Sequence, residues 1–343
     1  MMLYSTNTEI REVFSRLHPP LVLPDLEEMS GILESVQQVL DNEDPQIRPQ
    51  SGDGRPGGLL LLHSDIPTVI VPDLHARTGY MAALIDMDID GQPLLEALLE
   101  EKLQVVCVGD GFHSEARGAK RWKKAWKEYE NAFRRHNAMD EEMAESLSLM
   151  LMVMILKVAA PRHFHFLKGN HENVTNTDEN GNRPFGKYAW EGQMVRDWFL
   201  MFLGNDILSR WADFEYALPL LAVGNHFLIS HAEPRNFYTR EELISGMEND
   251  ELIYDFTWTA NGAATEGSVE EMLEHYLEDD AEESLYFGGH RPVSGYYTLR
   301  ANGRYVQIHN PERYIAAFLD AGCIPDPERD VFDIEERRGM ADE

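Results

Sequence analysis

Cysteine is scarce in this 343-residue chain, which contains only Cys107 and Cys323. The two lie far apart, and Cys107 stands within the apolar run VVCVG, so no disulfide framework is indicated. Long apolar runs are also missing: no stretch approaches the ~20 residues of a membrane span, and the first residues carry no continuous apolar segment. These absences predict a soluble, cytoplasmic protein with no membrane partner.

Basic residues are half as frequent as acidic ones, with 30 lysines and arginines against 60 aspartates and glutamates. The formal net charge of −30 makes the chain a polyanion, which repels nucleic acid and anionic membranes at long range. Nucleic acid is therefore not an expected partner, and nuclease activity is disfavoured. The 43% of hydrophobic residues suffices for the core of one large α/β domain or two small ones.

Short apolar runs alternate with helical patterns along the chain, which predicts an α/β fold whose sheets are covered by helices. The acidic, helical segment before them ends in the Gly/Pro-rich stretch PQSGDGRPGG. We predict an N-terminal helical appendage and connector (1–62), a main domain (63–318) with a helical insertion at about 116–160, and an acidic C-terminal tail (319–343). The tail is expected to be peripheral or partly disordered.

The insertion begins with a basic, aromatic helix in which Trp122, Trp126, Tyr129 and Phe133 follow one another at helical spacing. This spacing places the four rings on one face, so the favoured interpretation is a packed amphipathic helix. The alternative is that its basic side chains overhang a phosphate site. Those side chains are Lys120, Arg121, Lys123, Lys124 and Lys127.

Five strand-like runs end in side chains that can bind metal ions. They are Asp73 and His75 after TVIVP, Asp110 and His113 after VVCVG, Asn170 and His171 after HFHFLKG, His231 after HFLIS, and His290 after LYFGG. Each histidine alone is more often a structural residue. In layered α/β folds, however, loops at the carboxyl ends of strands converge on one crevice, so the five segments are expected to meet.

This ligand set contains carboxylates, imidazoles and an amide but no thiolate, which suits Mn, Fe or Zn better than a structural zinc site. The set is too large for one tetrahedral ion. Two divalent or trivalent metal ions that share a bridging carboxylate would use all of it.

The blocks PDLHA, GDGFHSEARG, LKGNHEN, ISHAEP and GGHRPVSGYY resemble, in order, the motifs of the calcineurin-like metallophosphoesterases, and within them the phosphoprotein phosphatase family of Ser/Thr phosphatases. The resemblance extends over about 68–305. It implies a four-layer α/β/β/α sandwich with two mixed sheets flanked by helices, in which 63–318 is the catalytic domain. It also implies a hydrolase that acts on phosphoric esters.

The resemblance assigns roles to individual residues. The metal ligands would be Asp73 and His75 for the first ion, Asp110 as the bridge, and Asn170, His231 and His290 for the second. The phosphate contacts would be Arg117, Asn170 and Arg291. Two such cations would convert a bridging water to hydroxide for in-line attack on phosphorus, and His171 would protonate the leaving alkoxide as general acid.

The block GDGFHSEARG departs from the family pattern. The family places an aspartate three residues after the bridging one, where it pairs with the catalytic histidine, but this chain has His113 there. The motif containing Arg117 also comes two residues late. Either His113 or Glu115 could orient His171, and Glu115 would better raise its pKa because it is anionic.

Three functions are open at this point. The first is a phosphomonoesterase of the Ser/Thr protein phosphatase type, acting on a phosphoprotein or a small phosphoester. The second is a dinucleoside polyphosphate hydrolase or phosphodiesterase, since related folds support these reactions. The third, a non-catalytic metal-binding scaffold, would leave His171 and Arg117 without a role.

Overall fold

A computed structural model describes residues 4–341 of the chain, with side chains to 337. Within these residues the helices are α1 (Asn7–Leu17), α2 (Leu26–Asp41), α3 (Thr78–Ile85), α4 (Leu94–Leu99), α5 (Ala119–Glu130), α6 (Asn137–Ala159), α7 (Glu191–Trp198), α8 (Asn205–Tyr216), α9 (Arg240–Ser245), α10 (Asp250–Thr257), α11 (Ser268–Leu277), α12 (Pro327–Asp330) and α13 (Ile334–Ala341). The strands are β1 (Leu59–Leu61), β2 (Thr68–Val71), β3 (Asp88–Ile89), β4 (Gln92–Pro93), β5 (Gln104–Cys107), β6 (Phe164–Phe166), β7 (Leu221–Val223), β8 (Phe227–Ser230), β9 (Leu285–Gly288), β10 (Thr298–Arg300), β11 (Tyr305–Gln307), β12 (Ile315–Leu319) and β13 (Val331–Asp333).

Two mixed sheets form the centre of the fold. The six-stranded sheet has the order β1-β7-β8-β9-β11-β10, and the five-stranded sheet has the order β13-β12-β2-β5-β6. In the second sheet β2, β5 and β6 run parallel, with Val71 opposite Cys107 and Cys107 opposite Phe166. These three strands therefore end at the same level, and the loops that follow them leave from one edge.

The two sheets pack face to face, and their strands alternate between two environments. Ile70 and Val106 of the second sheet meet Ile229 and Phe287 of the first in a shared core. Val69 points to the opposite side, into the core formed with the helices. This period-two alternation, with helices on both outer faces, confirms the predicted four-layer sandwich.

The helices on the outer face of the second sheet include those of the appendage and the insertion. The methionine-rich α6 is buried on almost every side, and Met152 is fully buried within the apolar core. Phe14 of α1 and Leu33 of α2 belong to that same core. The appendage thus packs as an integral part of this helical layer. No helix in 4–341 has both the length and the apolar character required to cross a bilayer.

The C-terminal tail lies along the edge of the second sheet. Strand β13 pairs antiparallel with β12, where Val331 lies opposite Ala317. Val331 and Ile334 are buried, so within 327–337 this segment packs into the core of the fold.

A buried ion cluster attaches the connector to the core. Glu43 Oε2 lies 2.7 Å from Arg48 Nη1, and Glu43 Oε1 lies 2.6 Å from Lys157 Nζ on α6. Burial alone would raise the pKa of Glu43, but the charges of Lys157 and Arg48 lower it to about 2. Because a buried cation without its partner is costly, we expect this carboxylate to hold the N-terminal helices in place.

We predict that Glu43→Gln lowers the free energy of unfolding at pH 7 by about 3 kcal/mol. The pKa of Glu43 is lower in the folded chain than its ordinary value of 4.5, so its stabilisation is complete above that pH and is lost as pH falls towards about 2. Urea unfolding at several pH values should show that the free energy of unfolding falls less steeply with decreasing pH in the variant than in the wild type. Glu248→Gln, at an exposed ion pair with Arg55, is the control and should behave as wild type. If the free energy of unfolding fell equally with decreasing pH in Glu43→Gln and wild type, the Glu43 carboxylate would not be the group that stabilises the fold.

Candidate metal centre

The five predicted strand-end segments converge at one side of the sandwich. The loops after β2, β5 and β6 bring Asp73, Asp110 and Asn170 to one edge of the second sheet. In the first sheet β8, β9 and β11 also run parallel, and their carboxyl ends bring His231 and His290 towards the same point. The two sheets thus supply ligands from opposite walls of one crevice.

One cluster contains the three residues expected for the second ion together with Asp110, the expected bridge. Asn170 Oδ1 lies 3.1 Å from His231 Nε2 and 2.9 Å from His290 Nδ1. His231 Nε2 lies 3.5 Å from Asp110 Oδ2. Atoms that share an ion at about 2.1 Å lie about 3.0–3.4 Å apart, so this spacing fits a common cation.

A second cluster surrounds His75. Its Nε2 lies 3.4 Å from Glu115 Oε2, which lies 3.4 Å from His309 Nε2. His309 Nδ1 is 3.1 Å from Asp73 Oδ2. His75 Nε2 is also 3.7 Å from Asp110 Oδ2. Asp110 therefore lies within reach of both clusters, where a bridging carboxylate belongs.

The donor chemistry of the two clusters fits cations. The two ring nitrogens of His309 are fully buried and face the carboxylates of Asp73 and Glu115, while Nδ1 of His290 faces Asn170 and His231. Burial lowers the pKa of His75 and of His290 to about 3, which keeps each imidazole neutral with a free lone pair, as metal binding requires. Burial and the nearby carboxylate of Glu172 raise the pKa of Asp110 far above its ordinary range, so ionised Asp110 requires a compensating cation.

Glu172 holds the two central loops together. Its fully buried carboxylate accepts hydrogen bonds from the backbone N–H groups of Asp110 (2.9 Å), Gly111 (2.9 Å) and Gly169 (2.7 Å). Three N–H groups on one carboxylate fix the position of the turn that presents Asp110. The structure thus assigns a positioning role to the glutamate of the GNHE block.

Two glycines allow these loops to touch. A Cβ at Gly109, whose φ is +112°, would lie 2.5 Å from the backbone nitrogen of Gly169. A Cβ at Gly169 would lie 2.3 Å from Asp110 Oδ1. Only glycine fits at both positions, because one requires a positive φ and each backbone approaches the other directly.

His171 lies beside the two ligand clusters, where the rings of His75, His113 and Phe185 surround it. Its ring centroid is 4.5 Å from that of Phe185 and 5.1 Å from that of His113. Burial, followed by the nearby ring of His113, lowers the pKa of His171 well below its ordinary value. Nδ1 of His171 is buried without a hydrogen bond, and Nε2 lies 3.9 Å from Asp110 Oδ2.

Neither His113 nor Glu115 forms a hydrogen bond with His171 in the described part of the chain. His113 stacks on Trp122 at 4.9 Å, and its Nε2 faces the carboxylate of Glu191 at 3.7 Å. Glu115 turns towards the histidines of the first cluster. His113 nevertheless packs with its ring centroid 5.1 Å from that of His171, and the negative charge of Glu115 acts to raise the pKa of His171 against the larger effect of burial. Which of the two orients His171 therefore stays a prediction.

The two candidate phosphate-binding arginines lie at the rim. Arg117 lines a cavity of about 390 Å³ together with His75 and Glu115. Its guanidinium pairs with Glu145 and donates to the carbonyl of His75 at 3.3 Å. Arg291 follows His290 and is exposed to solvent. Their role as phosphate contacts stays a prediction.

The basic, aromatic helix α5 packs as an amphipathic helix. Trp122 is fully buried, while Trp126 and Tyr129 are partly buried. Arg121 binds Glu142 at 2.5 Å and Glu145 at 2.8 Å, so its charge is used within the protein. Arg121 is therefore not available to bind a phosphate. In the alternative in which α5 overhangs a phosphate site, only its exposed lysines could make that contact.

His309 was missed by the motif analysis. It follows β11, whose sequence RYVQIHN is a sixth apolar run that ends in a metal-binding side chain. The rule used for the other five runs would have found it. Glu191 and Phe185 carried no such signal, since their positions next to His113 and His171 depend on how the loop at 175–190 folds back.

Comparison with known proteins gives a match in structure but not in sequence. No protein-family model matches the chain. No curated protein sequence matches it either. A protein serine/threonine phosphatase from Saccharomyces cerevisiae with similarity to human phosphatase PP5 superposes with a TM-score of 0.54 at 12% identity, over 90% of this chain and 89% of that chain. This likeness shows that the chain has the same fold.

Two further solved structures are more distant. A cold-active protein-tyrosine phosphatase of a psychrophilic Shewanella species gives a TM-score of 0.44 at 13% identity, over 77% of each chain. A putative diadenosine tetraphosphatase gives a TM-score of 0.40 at 13% identity, over 78% of this chain and 96% of that chain.

Proposed function

We propose that this protein is a dinuclear-metal-dependent phosphoric ester hydrolase, specifically a phosphomonoesterase of the Ser/Thr protein phosphatase type. The observation that carries the proposal is the pair of ligand clusters that share Asp110 beneath a rim with two arginines. The fold, which the yeast phosphatase also has, supports it. We retain a cytoplasmic location as part of the proposal, because both cysteines are free thiols.

Two cations would be held by this chain's own side chains. The proposed ligands are Asp73, His75, Glu115 and His309 for the first ion, Asp110 as the bridge, and Asn170, His231 and His290 for the second. Oxygen and nitrogen donors without thiolate suit Mn, Fe or Zn. Such a pair of ions, when bound, supplies an activated water and neutralises charge on phosphoryl oxygens.

The arginines would bind and orient the substrate. The planar guanidinium of Arg117 matches two phosphate oxygens, and its present partner Glu145 lies near the surface, so exchange for a phosphate is feasible. Asn170 Oδ1 faces the second cluster, which leaves its Nδ2 to donate to the phosphate. Arg291 would add a second positive charge on the opposite side of the crevice.

His171 would deliver a proton to the leaving oxygen. Burial keeps its ring neutral without substrate, but the arrival of a doubly charged phosphate beside it favours the protonated form. The ring of Phe185, whose centroid lies 4.5 Å from that of His171, would shield part of the imidazole from water.

We predict that His171→Asn lowers kcat on an alkyl phosphate by at least about a hundredfold while metal content is kept. The decrease in kcat on an aryl phosphate should be much smaller, because the phenolate of an acidic phenol can leave without being protonated. His226→Asn, in the β7–β8 hairpin, is the matched control and should leave both rates unchanged. An equal loss on both substrates, or unchanged turnover, would remove His171 from the general-acid role.

The alternative is a hydrolase of dinucleoside polyphosphates or diesters. The observation in its favour is the exposed row of lysines on α5, which begins three residues after Arg117 and could meet a longer phosphate chain. A non-catalytic scaffold is the remaining alternative, and it accounts for neither arginine at the rim.

One assay panel separates these functions. The purified protein is analysed for bound metals and then tested with Mn, or with a chelator, on a chromogenic monoester, its diester, a phosphopeptide and a dinucleoside tetraphosphate. Mn-dependent cleavage of the monoester and phosphopeptide is expected. Cleavage of the tetraphosphate or diester alone would favour the alternative, and two bound metals without any hydrolysis would favour the scaffold.

A further inference from the structure

A buried carboxylate lies behind the rings that surround His171. It belongs to Glu191, the first residue of α7, whose side chain is fully buried. Glu191 is not a member of the ligand clusters around Asp110. Burying a carboxylate is costly unless its oxygens are paired, so the contacts of Glu191 indicate what it holds in place.

The first contacts of Glu191 hold the loop that carries Phe185. Its Oε2 accepts the backbone N–H of Lys187 at 2.9 Å, and its Oε1 accepts the backbone N–H of Tyr188. The backbone N–H of Gly192 also donates to the carbonyl of Phe185 at 3.0 Å. The start of α7 therefore fixes the backbone on both sides of the Phe185 ring.

The second contact of Glu191 reaches His113. Nδ1 of His113 accepts the backbone N–H of Glu115 at 3.2 Å, so the ring carries its hydrogen on Nε2. That nitrogen lies 3.7 Å from Oε1 of Glu191. Burial would raise the pKa of Glu191, but the contacts with His113 and with the Tyr188 N–H lower it below its ordinary value, so the carboxylate is ionised at neutral pH. An anion thus faces the N–H edge of the His113 ring, while Trp122 stacks on its face at 4.9 Å.

The ring of His171 depends on its neighbours for its orientation. Its Nδ1 is buried without a hydrogen-bond partner in the described residues, and its Nε2 lies 3.9 Å from a carboxylate oxygen of the bridging aspartate. Three rings pack against it: Phe185 with centroids 4.5 Å apart, His113 at 5.1 Å and His75 at 5.1 Å. Glu191 holds two of these three rings.

We propose that Glu191 is a positioning residue for the phosphoester hydrolysis: it holds His113 and Phe185 so that the imidazole of His171 faces the leaving oxygen. This inference rests on the general-acid role proposed above for His171, and it gives Glu191 no contact with the substrate. A proton donor must lie within hydrogen-bond reach of the leaving oxygen, so a small rotation of its ring slows the transfer. The competing explanation is that Glu191 only stabilises the start of α7, where a negative charge is favourable.

The test begins with Glu191→Gln. Glutamine has the same shape but only one acceptor oxygen, whereas N–H groups reach both oxygens of Glu191, so at least one of them loses its acceptor. We expect kcat on an alkyl phosphate to fall at least about tenfold, with KM and metal content unchanged, and kcat on an aryl phosphate to fall less than about threefold. Asp197→Asn is the matched control, because Asp197 lies on the same helix and bonds Tyr129 instead of the site.

A double variant separates positioning from stability. If Glu191 acts through His171, adding Glu191→Gln to His171→Asn causes no further loss of kcat on the alkyl phosphate, whereas a role confined to α7 lowers kcat by the same factor in both backgrounds. Phe185→Leu removes one ring contact and leaves Glu191 in place, so it should reduce kcat in the same selective way. This variant tests the ring contact even if Glu191→Gln fails to fold, which circular dichroism establishes.

Nuclear magnetic resonance of ¹³C-labelled histidine rings gives a readout that needs no activity. The spectra are recorded with zinc, which is diamagnetic, and the His171 signal is assigned by its absence in His171→Asn. Glu191→Gln should shift or broaden this signal, and Asp197→Asn should leave it unchanged. If the wild type cleaves neither ester, the function proposed above fails, and the spectra still decide whether Glu191 holds His171.

Three results would overturn the positioning role of Glu191. They are an unchanged His171 signal in Glu191→Gln, an equal loss of kcat on the alkyl and aryl phosphates, and a further loss of kcat in the double variant.

Discussion

Asp110→Asn is expected to lower kcat/KM on the proposed substrate by at least about a thousandfold and to reduce bound metal from two ions to at most one. Asp110 is the carboxylate whose Oδ2 lies 3.7 Å from His75 Nε2 in one cluster and 3.5 Å from His231 Nε2 in the other. Asparagine has the same shape, and its oxygen can still accept the backbone N–H of His171. The substitution therefore removes charge and one donor atom but leaves the turn in place.

The opposite effect is expected on the metal-free protein. Burial raises the pKa of Asp110, so an ionised carboxylate at this position is costly without a cation. Asp110→Asn removes that cost, and its melting temperature in a chelator should equal or exceed that of wild type. Loss of activity together with retained stability separates a ligand role from unfolding. Asp213→Asn, on the exposed face of α8, is the control for both measurements.

Metal content is measured by elemental analysis, and turnover is measured with saturating Mn. Two bound ions and wild-type turnover in Asp110→Asn would overturn the bridging assignment. One bound ion with full turnover would show that the reaction needs a single metal.

Glu172→Gln is expected to lower the free energy of unfolding by about 2–3 kcal/mol and to weaken metal binding at least about tenfold. Glutamine keeps one acceptor oxygen but replaces the other with an NH₂ group. The carboxylate receives Gly111 N–H on Oε1 and the N–H groups of Asp110 and Gly169 on Oε2, so at least one buried donor loses its acceptor. The loops that carry Asp110 and Asn170 would then shift.

Chemical denaturation with and without Mn measures both effects. Glu241→Gln, an exposed residue on α9, is the control. If Glu172→Gln were as stable as wild type and bound metal with the same affinity, the carboxylate would not position these loops.

The sequence was sufficient to predict the layered fold and the convergence of the strand ends. Strands such as TVIVP and VVCVG have the apolar, β-branched composition of buried strands, and their polar endings marked the crevice. The apolar periodicity and the residue composition of a strand are local properties of the sequence, so they can be recognised without knowing which strands are neighbours in the sheet.

The contacts of His171 could not be predicted in this way. Spacing from Asp110 placed His113 near the site, but whether its ring faces His171 or Glu191 depends on the packing of Trp122 on α5. Glu115 likewise has a left-handed backbone, with φ of 49°, which turns its side chain towards His75. Such orientations arise from long-range packing, which no motif records.

The paired glycines beneath the centre have a consequence for protein engineering. Gly109 and Gly169 touch backbone to backbone, and Glu172 ties both loops together, so residues 109–111 and 169–172 behave mechanically as one part made from two distant pieces of chain. A graft of either loop alone onto another scaffold would carry the ligands without the surface against which they are held. The smallest transferable form of this site is therefore the pair of loops, with the two parallel strands that keep them in register.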